Sequence, residues 1–154
     1  LVADGKVLPP AAPEEALSEE NMRRIYGLSA TYDALSGSAE LPRRTEGTPP
    51  DTLVLAGGGS GIPVYRRLRR EGTSFAAGIF SPADLDYPVA IRLAAKVIET
   101  APYEPVSAPD LQAAKACLSK VRRVIWAEPP LGSGNAALLA LRELAESKGI
   151  LEQK

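Results

Sequence analysis

The feature that most restricts this chain is an apolar, strand-like run that empties directly into glycine. Thr52-Leu53-Val54-Leu55-Ala56 is followed at once by Gly57-Gly58-Gly59-Ser60-Gly61, and then by a helix-like stretch from Ile62 to Glu71. A short apolar run without polar alternation fits a strand covered on both faces, as in a parallel sheet. Glycines between such a strand and a helix permit a tight turn and close backbone approach. Pro63 is tolerated in the first helical turn, and Gly72 is a helix stop.

The same alternation continues toward the C-terminus. Phe75 to Phe80 reads as a second strand, Asp86 to Ala95 as a helix, and Lys96 to Thr100 as a third strand. Pro109 to Lys120 reads as a third helix, with Leu111, Ala114, Leu118 and, just beyond its end, Val121 at the spacing of one helix face. Val124-Ile125-Trp126-Ala127 is a fourth strand, and Asn135 to Ser147 a last helix with Leu138, Leu141 and Leu144 on one side. This pattern predicts an α/β fold: a small parallel sheet of about four strands, starting near Thr52, Ser74, Lys96 and Arg123, with helices on both faces. The expected architecture is Rossmann-like, although alternation alone leaves the flavodoxin-like strand order open. In a 3-2-1-4 order the first and fourth strands are neighbours, and their loops flank one crevice.

Residues 1–41 differ in character, being rich in Pro, Glu, Ser and Thr with short apolar patches. Leu1-Val2-Ala3 and Val7-Leu8, joined through Asp4-Gly5-Lys6, read as a hairpin. Ser18 is a candidate N-cap for a helix from Glu19 to Tyr26, ended by Gly27. Ala30 to Leu35 and Ala39 to Leu41 read as a second hairpin around Ser36-Gly37-Ser38. So little apolar surface cannot enclose its own core, so this appendage is expected to lean either on the second region or on a partner. Residues 42–51, with their prolines and Gly47, read as a linker to an α/β domain over 52–154.

Composition removes several function classes. The 154 residues carry a formal net charge of -1, which argues against nucleic acid as a partner. No histidine is present, which excludes Ser-His-Asp and Cys-His mechanisms within the chain and leaves zinc without its usual ligands. The single cysteine, Cys117, forbids an intrachain disulfide, and a reducing, cytoplasmic setting is the simplest reading. No apolar run is long enough to cross a bilayer. The chain starts at Leu1 rather than methionine, so part of the function is expected in sequence beyond it.

The residues that can carry binding chemistry gather in three loops, and none reads as catalytic. Gly57, Gly58, Gly59 and Ser60 open a helix, where backbone N–H groups and the helix dipole favour an anion. The G-x-G-x-x-G fingerprint is incomplete, because Ile62 stands at the third glycine, and a plain tight turn is the competing reading. Asp84 and Asp86 follow the second strand; they suit a ribose hydroxyl, a cation or an amine, or else cap the next helix. Gly132, Ser133 and Asn135 form a second flexible loop after the fourth strand, with Asn135 also a helix-cap candidate. A nucleotide-like or metal-linked ligand suits glycine loops rimmed by carboxylates better than free phosphate, although the cofactor stays unknown and no residue of the chain is expected to ligate a metal. Arg66, Arg67, Arg69 and Arg70 read as spread around their helix and solvated, Cys117 as packing, and Trp126 as a core residue that can reach the crevice.

Two resemblances give these pieces a context. The series Val2-Ala3-Asp4-Gly5-Lys6-Val7-Leu8, Pro13-Glu14-Glu15-Ala16-Leu17-Ser18-Glu19-Glu20-Asn21 and Ile25-Tyr26-Gly27 resembles the end of ATP-binding subunits of ABC importers for iron-siderophore complexes and cobalamin. Ala56 to Gly61, Asp84-Leu85-Asp86, Ala101-Pro102-Tyr103 and Pro129 to Asn135 resemble an extra α/β domain that some of these ATPases carry. The resemblance implies a regulatory or ligand-binding module joined to an ATPase and, through it, to a membrane permease. It also implies a cytoplasmic place at the inner face of the membrane, without insertion, and a homodimeric partner. ATP hydrolysis is not expected of these residues, because they contain no G-x-x-x-x-G-K-[ST] loop and no switch histidine. A nucleotide-dependent enzyme and a dimerisation module are the alternative readings.

Overall fold

The computed structural model describes residues 2–3, 6–7, 9–26, 31–33, 38–40 and 48–153. The chain divides into two compact units, Leu1–Arg43 and Arg44–Lys154.

In the first unit, β1 (Val2–Ala3) pairs antiparallel with β2 (Lys6–Val7). Two short helices follow, α1 (Pro13–Ala16) and α2 (Glu19–Tyr26). The Ser18 hydroxyl accepts the Asn21 amide at 3.5 Å, the geometry of a weak N-cap for α2. β3 (Thr31–Asp33) then pairs antiparallel with β4 (Ser38–Glu40). The expected turns at Asp4-Gly5 and Ser36-Gly37, and the helix stop at Gly27, lie outside the described residues.

The second unit alternates strand and helix throughout. Its elements are β5 (Thr52–Leu55), α3 (Ile62–Arg70), β6 (Phe75–Phe80), α4 (Tyr87–Leu93), β7 (Lys96–Glu99), α5 (Ala108–Leu118), β8 (Arg123–Trp126), α6 (Leu138–Ser147) and β9 (Leu151–Gln153). All five strands are parallel, in the order β7-β6-β5-β8-β9. This is the Rossmann-like arrangement, with one strand more than the sequence indicated. β9 adds at the β8 edge, where Leu151 is half-buried and Glu152 reaches Arg123 at 3.4 Å.

Strand alternation sorts the core into two layers. Leu53 and Leu55 pack with Ala114, Cys117 and Leu118 of α5 and with Leu138, Leu141 and Ala145 of α6. Val54 and Ala56 face the other way, onto Val64, Tyr65 and Leu68 of α3 and Ala90 and Leu93 of α4. The sheet is therefore covered on both faces, which is why its central strands read as unbroken apolar runs. In β6 the alternation slips between Gly78 and Phe80, where the register against β7 shifts as in a bulge.

Several boundaries move. Residues 48–51 are tied to the second unit: the Ser74 hydroxyl donates to the Thr48 carbonyl at 2.7 Å, and the Asp51 amide to the Ser74 carbonyl at 3.1 Å. α5 starts at Ala108 because Ser107 and Asp110 close a capping box around it. α6 starts at Leu138 rather than Asn135, because the Asn135 side chain is engaged with the loop before it. Among the described residues no helix is long and apolar enough to cross a membrane.

Candidate functional site

The connection from β7 to β8 crosses the sheet, so the chain leaves β5 and β8 in opposite senses around one point of the carboxyl edge. Such a switch point opens a crevice between the loops that follow the two strands. Here those loops are 56–61 and 127–137. A cleft of about 480 Å³ lies at this edge, lined by Gly57, Ser81, Asp84, Thr100, Tyr103, Glu104, Pro130, Leu131, Gly132, Gly134 and Asn135, with Ile79, Phe80, Ala83 and Val106.

The glycine loop does not present open amides to this cleft. The Gly58 N–H donates to both carboxylate oxygens of Asp84, at 3.0 Å each. The Gly59 N–H donates to Asp86 Oδ2 and the Gly61 N–H to Asp86 Oδ1, both at 3.0 Å. Gly57 N–H donates to the Ser60 hydroxyl at 3.3 Å. The donors on which an anion-binding reading depends are thus taken by two carboxylates of the same chain. Asp86 stands at the N-cap position of α4, but its side chain makes no bond there. It caps α3 instead, across the loop, and supplies the negative charge that the α3 dipole favours.

Asp86 is fully buried. Burial, and then the charge of Asp84, push its pKa above the ordinary carboxylate value, while the amides of Gly59, Gly61 and Ile62 oppose that rise. Asp84 is half-exposed and ties the turn together, since its Oδ1 also accepts the Asp86 amide at 2.8 Å. Beneath the loop, Tyr65 stacks on Phe75 with ring centroids 5.4 Å apart. Burial and the charges of Asp86 and Asp84 hold its phenol protonated far above the usual range.

The far wall is held by Asn135. Its Oδ1 accepts the Gly132 amide at 2.8 Å and its Nδ2 donates to the Pro130 carbonyl at 2.9 Å. The Val106 amide donates to the Gly134 carbonyl at 2.8 Å, which binds the loop after β7 to the loop after β8. Pro130 in turn touches the glycine loop: a Cβ on Gly58 would stand 2.7 Å from Pro130 Cγ.

Of the residues expected at the site, Gly57, Asp84, Gly132 and Asn135 share the cleft wall. Gly58, Gly59, Ser60 and Asp86 belong to the loop and its internal cap rather than to the wall. Ser133 is exposed and is not part of the lining. Trp126 is buried in the core with the Arg142 guanidinium 5.3 Å from its ring, away from the cleft. Thr100, Tyr103 and Glu104, which the sequence does not mark as site residues, line the wall from the loop after β7. Their visible signal was Ala101-Pro102-Tyr103, a turn in which Tyr103 is held at φ 63° with its side chain exposed. Among the described residues no group of three His, Cys, Asp or Glu side chains is arranged to hold a metal ion.

Residues 75–152 match the model of the MJ0874 family, a stretch that includes the Asp84–Asp86 turn and the Gly132–Asn135 loop. No curated protein and no solved structure matches the chain.

Proposed function

The chain belongs to the MJ0874 family, and from that premise we propose that its α/β unit is a ligand-binding accessory module whose ligand occupies the carboxyl-edge cleft. The ligand is a small polar molecule, neutral or cationic, rather than a nucleotide or free phosphate. The observation that carries this reading is the engagement of the Gly58, Gly59 and Gly61 amides by Asp84 and Asp86. A phosphate placed on this loop would have to displace a carboxylate that makes the same bonds.

The charge of the edge supports the same reading. The loops 56–61, 81–86, 99–107 and 127–137 carry Asp84, Asp86, Glu99, Glu104 and Glu128 and no lysine or arginine. A cleft lined by one sign of charge concentrates ligands of the opposite sign and repels its own. The cleft also offers hydroxyl, amide and carboxylate groups from Thr100, Asn135 and Asp84 beside the apolar surfaces of Ile79 and Leu131. A few convergent polar groups on an apolar wall are what small-molecule sites present.

The wider role we propose is that of a regulatory domain on the ATPase of an ABC importer for iron-siderophore complexes or cobalamin. Support for this part comes from the resemblance of the first 27 residues, where a strand pair, a proline-bearing spacer and helix α2 follow in order.

Thermal denaturation of the full chain with NAD, NADP, ATP, amino acids, polyamines and sugars tests the cleft. A neutral or cationic compound is expected to raise the midpoint, and the paired change Asp84→Asn and Glu104→Gln to cancel the rise. Stabilisation by the nucleotides alone would overturn the reading. The transporter role fails if the coding sequence upstream of Leu1 holds no ATPase domain.

A further inference from the structure

The arginine cluster of α3 is used neither by the cleft nor by the core. At about 100° per residue, Arg66, Arg67, Arg69 and Arg70 occupy an arc of roughly 160° on the helix. Val64, Tyr65 and Leu68 fill the opposite side and are buried, while all four arginines are exposed. The cluster is therefore one continuous face, not a scatter around the helix. Arg67 lies 3.9 Å from Glu71, and among the described residues Arg66, Arg69 and Arg70 are paired with no carboxylate.

Four like charges repel one another on a helix, and such i,i+3 and i,i+4 pairs cost stability unless something compensates them. The chain as a whole is close to neutral, at -1. Four of its 18 lysines and arginines nevertheless crowd onto this one helix face, while the loops of the carboxyl edge carry only acids. We propose that the outer face of α3 docks on the anionic headgroup surface of a phospholipid bilayer, without insertion.

The chemistry of the face favours that occupant over two others. A stable protein interface needs an apolar centre, and none of the large exposed apolar side chains, Val7, Leu85, Tyr103, Leu131 and Leu139, belongs to α3. Single-stranded nucleic acid calls for aromatic side chains between the basic ones, and the only aromatic of α3, Tyr65, is fully buried. A bilayer asks for neither. It is a laterally continuous field of negative charge, and a helix bearing four or more Lys or Arg is the kind of element it attracts.

Flotation of the full chain with vesicles provides the test. With vesicles of phosphatidylcholine and phosphatidylglycerol the chain is expected to float at about 0.05 M salt and to be released at about 0.5 M, where the screening length falls below the reach of the contact. With phosphatidylcholine alone it should stay in solution. Arg69→Gln should weaken partitioning about five-fold, and the triple change Arg66→Gln, Arg69→Gln, Arg70→Gln on the order of 100-fold. A thermal midpoint equal to that of the parent chain shows that these exposed changes leave the fold intact. Removing Lys115 and Lys148 together as glutamines, which preserves the α3 face, should leave flotation unchanged. Failure to float at low salt, equal flotation with neutral vesicles, or retention by the triple variant overturns the proposal. So does tighter binding of a DNA oligonucleotide than of the anionic vesicles, which would assign the face to nucleic acid.

Discussion

Asp86 and Gly61 stand 25 positions apart in the chain, and the amide of one donates to the buried carboxylate of the other at 3.0 Å. With the parallel bond from Gly59, this contact turns a loop of anion-binding type into a closed structural joint between α3 and α4. Replacing Asp86 by alanine leaves both amides without their acceptor. An unsatisfied buried donor costs about 1–3 kcal/mol, so Asp86→Ala is expected to lower the unfolding free energy by about 3 kcal/mol. Urea denaturation of the two proteins measures this directly. A loss below about 0.5 kcal/mol would mean that the loop is satisfied in another way.

The same burial gives Asp86 a pH signature of uncommon sign. Its folded pKa is raised above the ordinary value of 3.8, so the folded state binds the proton more tightly than the unfolded state. The contribution is fully present below the unfolded pKa and is lost as pH rises from there through the folded pKa. Asp110 behaves in the opposite way. The Ser107 hydroxyl and amide donate to its carboxylate at 2.6 and 3.0 Å and hold its pKa below 3.8. Its contribution is present above the unfolded pKa and is lost as pH falls through the folded one. Asp110→Asn should therefore cost about 0.5–1 kcal/mol at neutral pH, as a capping change at an exposed helix end does. That cost should shrink on acidification. The difference between parent and Asp110→Asn in urea midpoint, followed from pH 7 into the acid range, checks the sign: a gap that widens toward acid contradicts it.

Not all glycines of the loops around the cleft do the same work. Gly58 has φ 61° and faces Pro130, so Gly58→Ala meets both an unfavourable backbone and a contact at 2.7 Å. The left-handed conformation alone costs a non-glycine residue roughly 1–2 kcal/mol, and the crowding adds to it. A Cβ on Gly134 meets nothing within 4 Å, and Gly134 does not have positive φ. Gly58→Ala is expected to lose about 2 kcal/mol and Gly134→Ala less than about 0.5 kcal/mol. Equal losses in a denaturation series would show that crowding against Pro130 is relieved by movement of its loop.

What could be read in the sequence depended on how far each signal reached. The strand of Thr52–Leu55 was legible because both of its faces are buried, which leaves a run of apolar residues with no alternation. β9 was not, because Leu151–Gln153 is three residues long and only Leu151 is drawn inward. At the site, the proximity of the two glycine loops followed from topology, as both succeed strands of one parallel sheet. The loop's occupant did not. Whether Asp84 and Asp86 rim a ligand or replace one depends on the path between β6 and α4. Spacing alone permits a helix cap, a cation site or, as here, a cap for the preceding helix. Thr100 and Glu104 were hidden for a similar reason: nothing in their local sequence tells that the Gly134 carbonyl will anchor Val106 and bring their loop to the cleft.

The core holds a hydroxyl that the fold would do better without. Tyr65 is fully buried, its ring stacks on Phe75, and among the described residues its hydroxyl has no hydrogen-bond partner. Burying a hydroxyl without a bond costs about 1–3 kcal/mol, whereas the ring's apolar contacts survive in phenylalanine. Tyr65→Phe should therefore be neutral or stabilising, by up to about 1 kcal/mol, against the usual direction of core substitutions. The same hydroxyl crowds Gly61, since a Cβ there would overlap Tyr65 Oη and Cζ and approach Ala56 Cβ to 2.7 Å. Gly61→Ala is then expected to be strongly destabilising, and part of that loss should return in the double variant with Tyr65→Phe. Residues in contact show such coupling at about 0.5–3 kcal/mol. A double-mutant cycle in urea reads the term. If the two single effects simply add, the hydroxyl is not what excludes a side chain at Gly61, and Ala56 and the remaining ring carbons are.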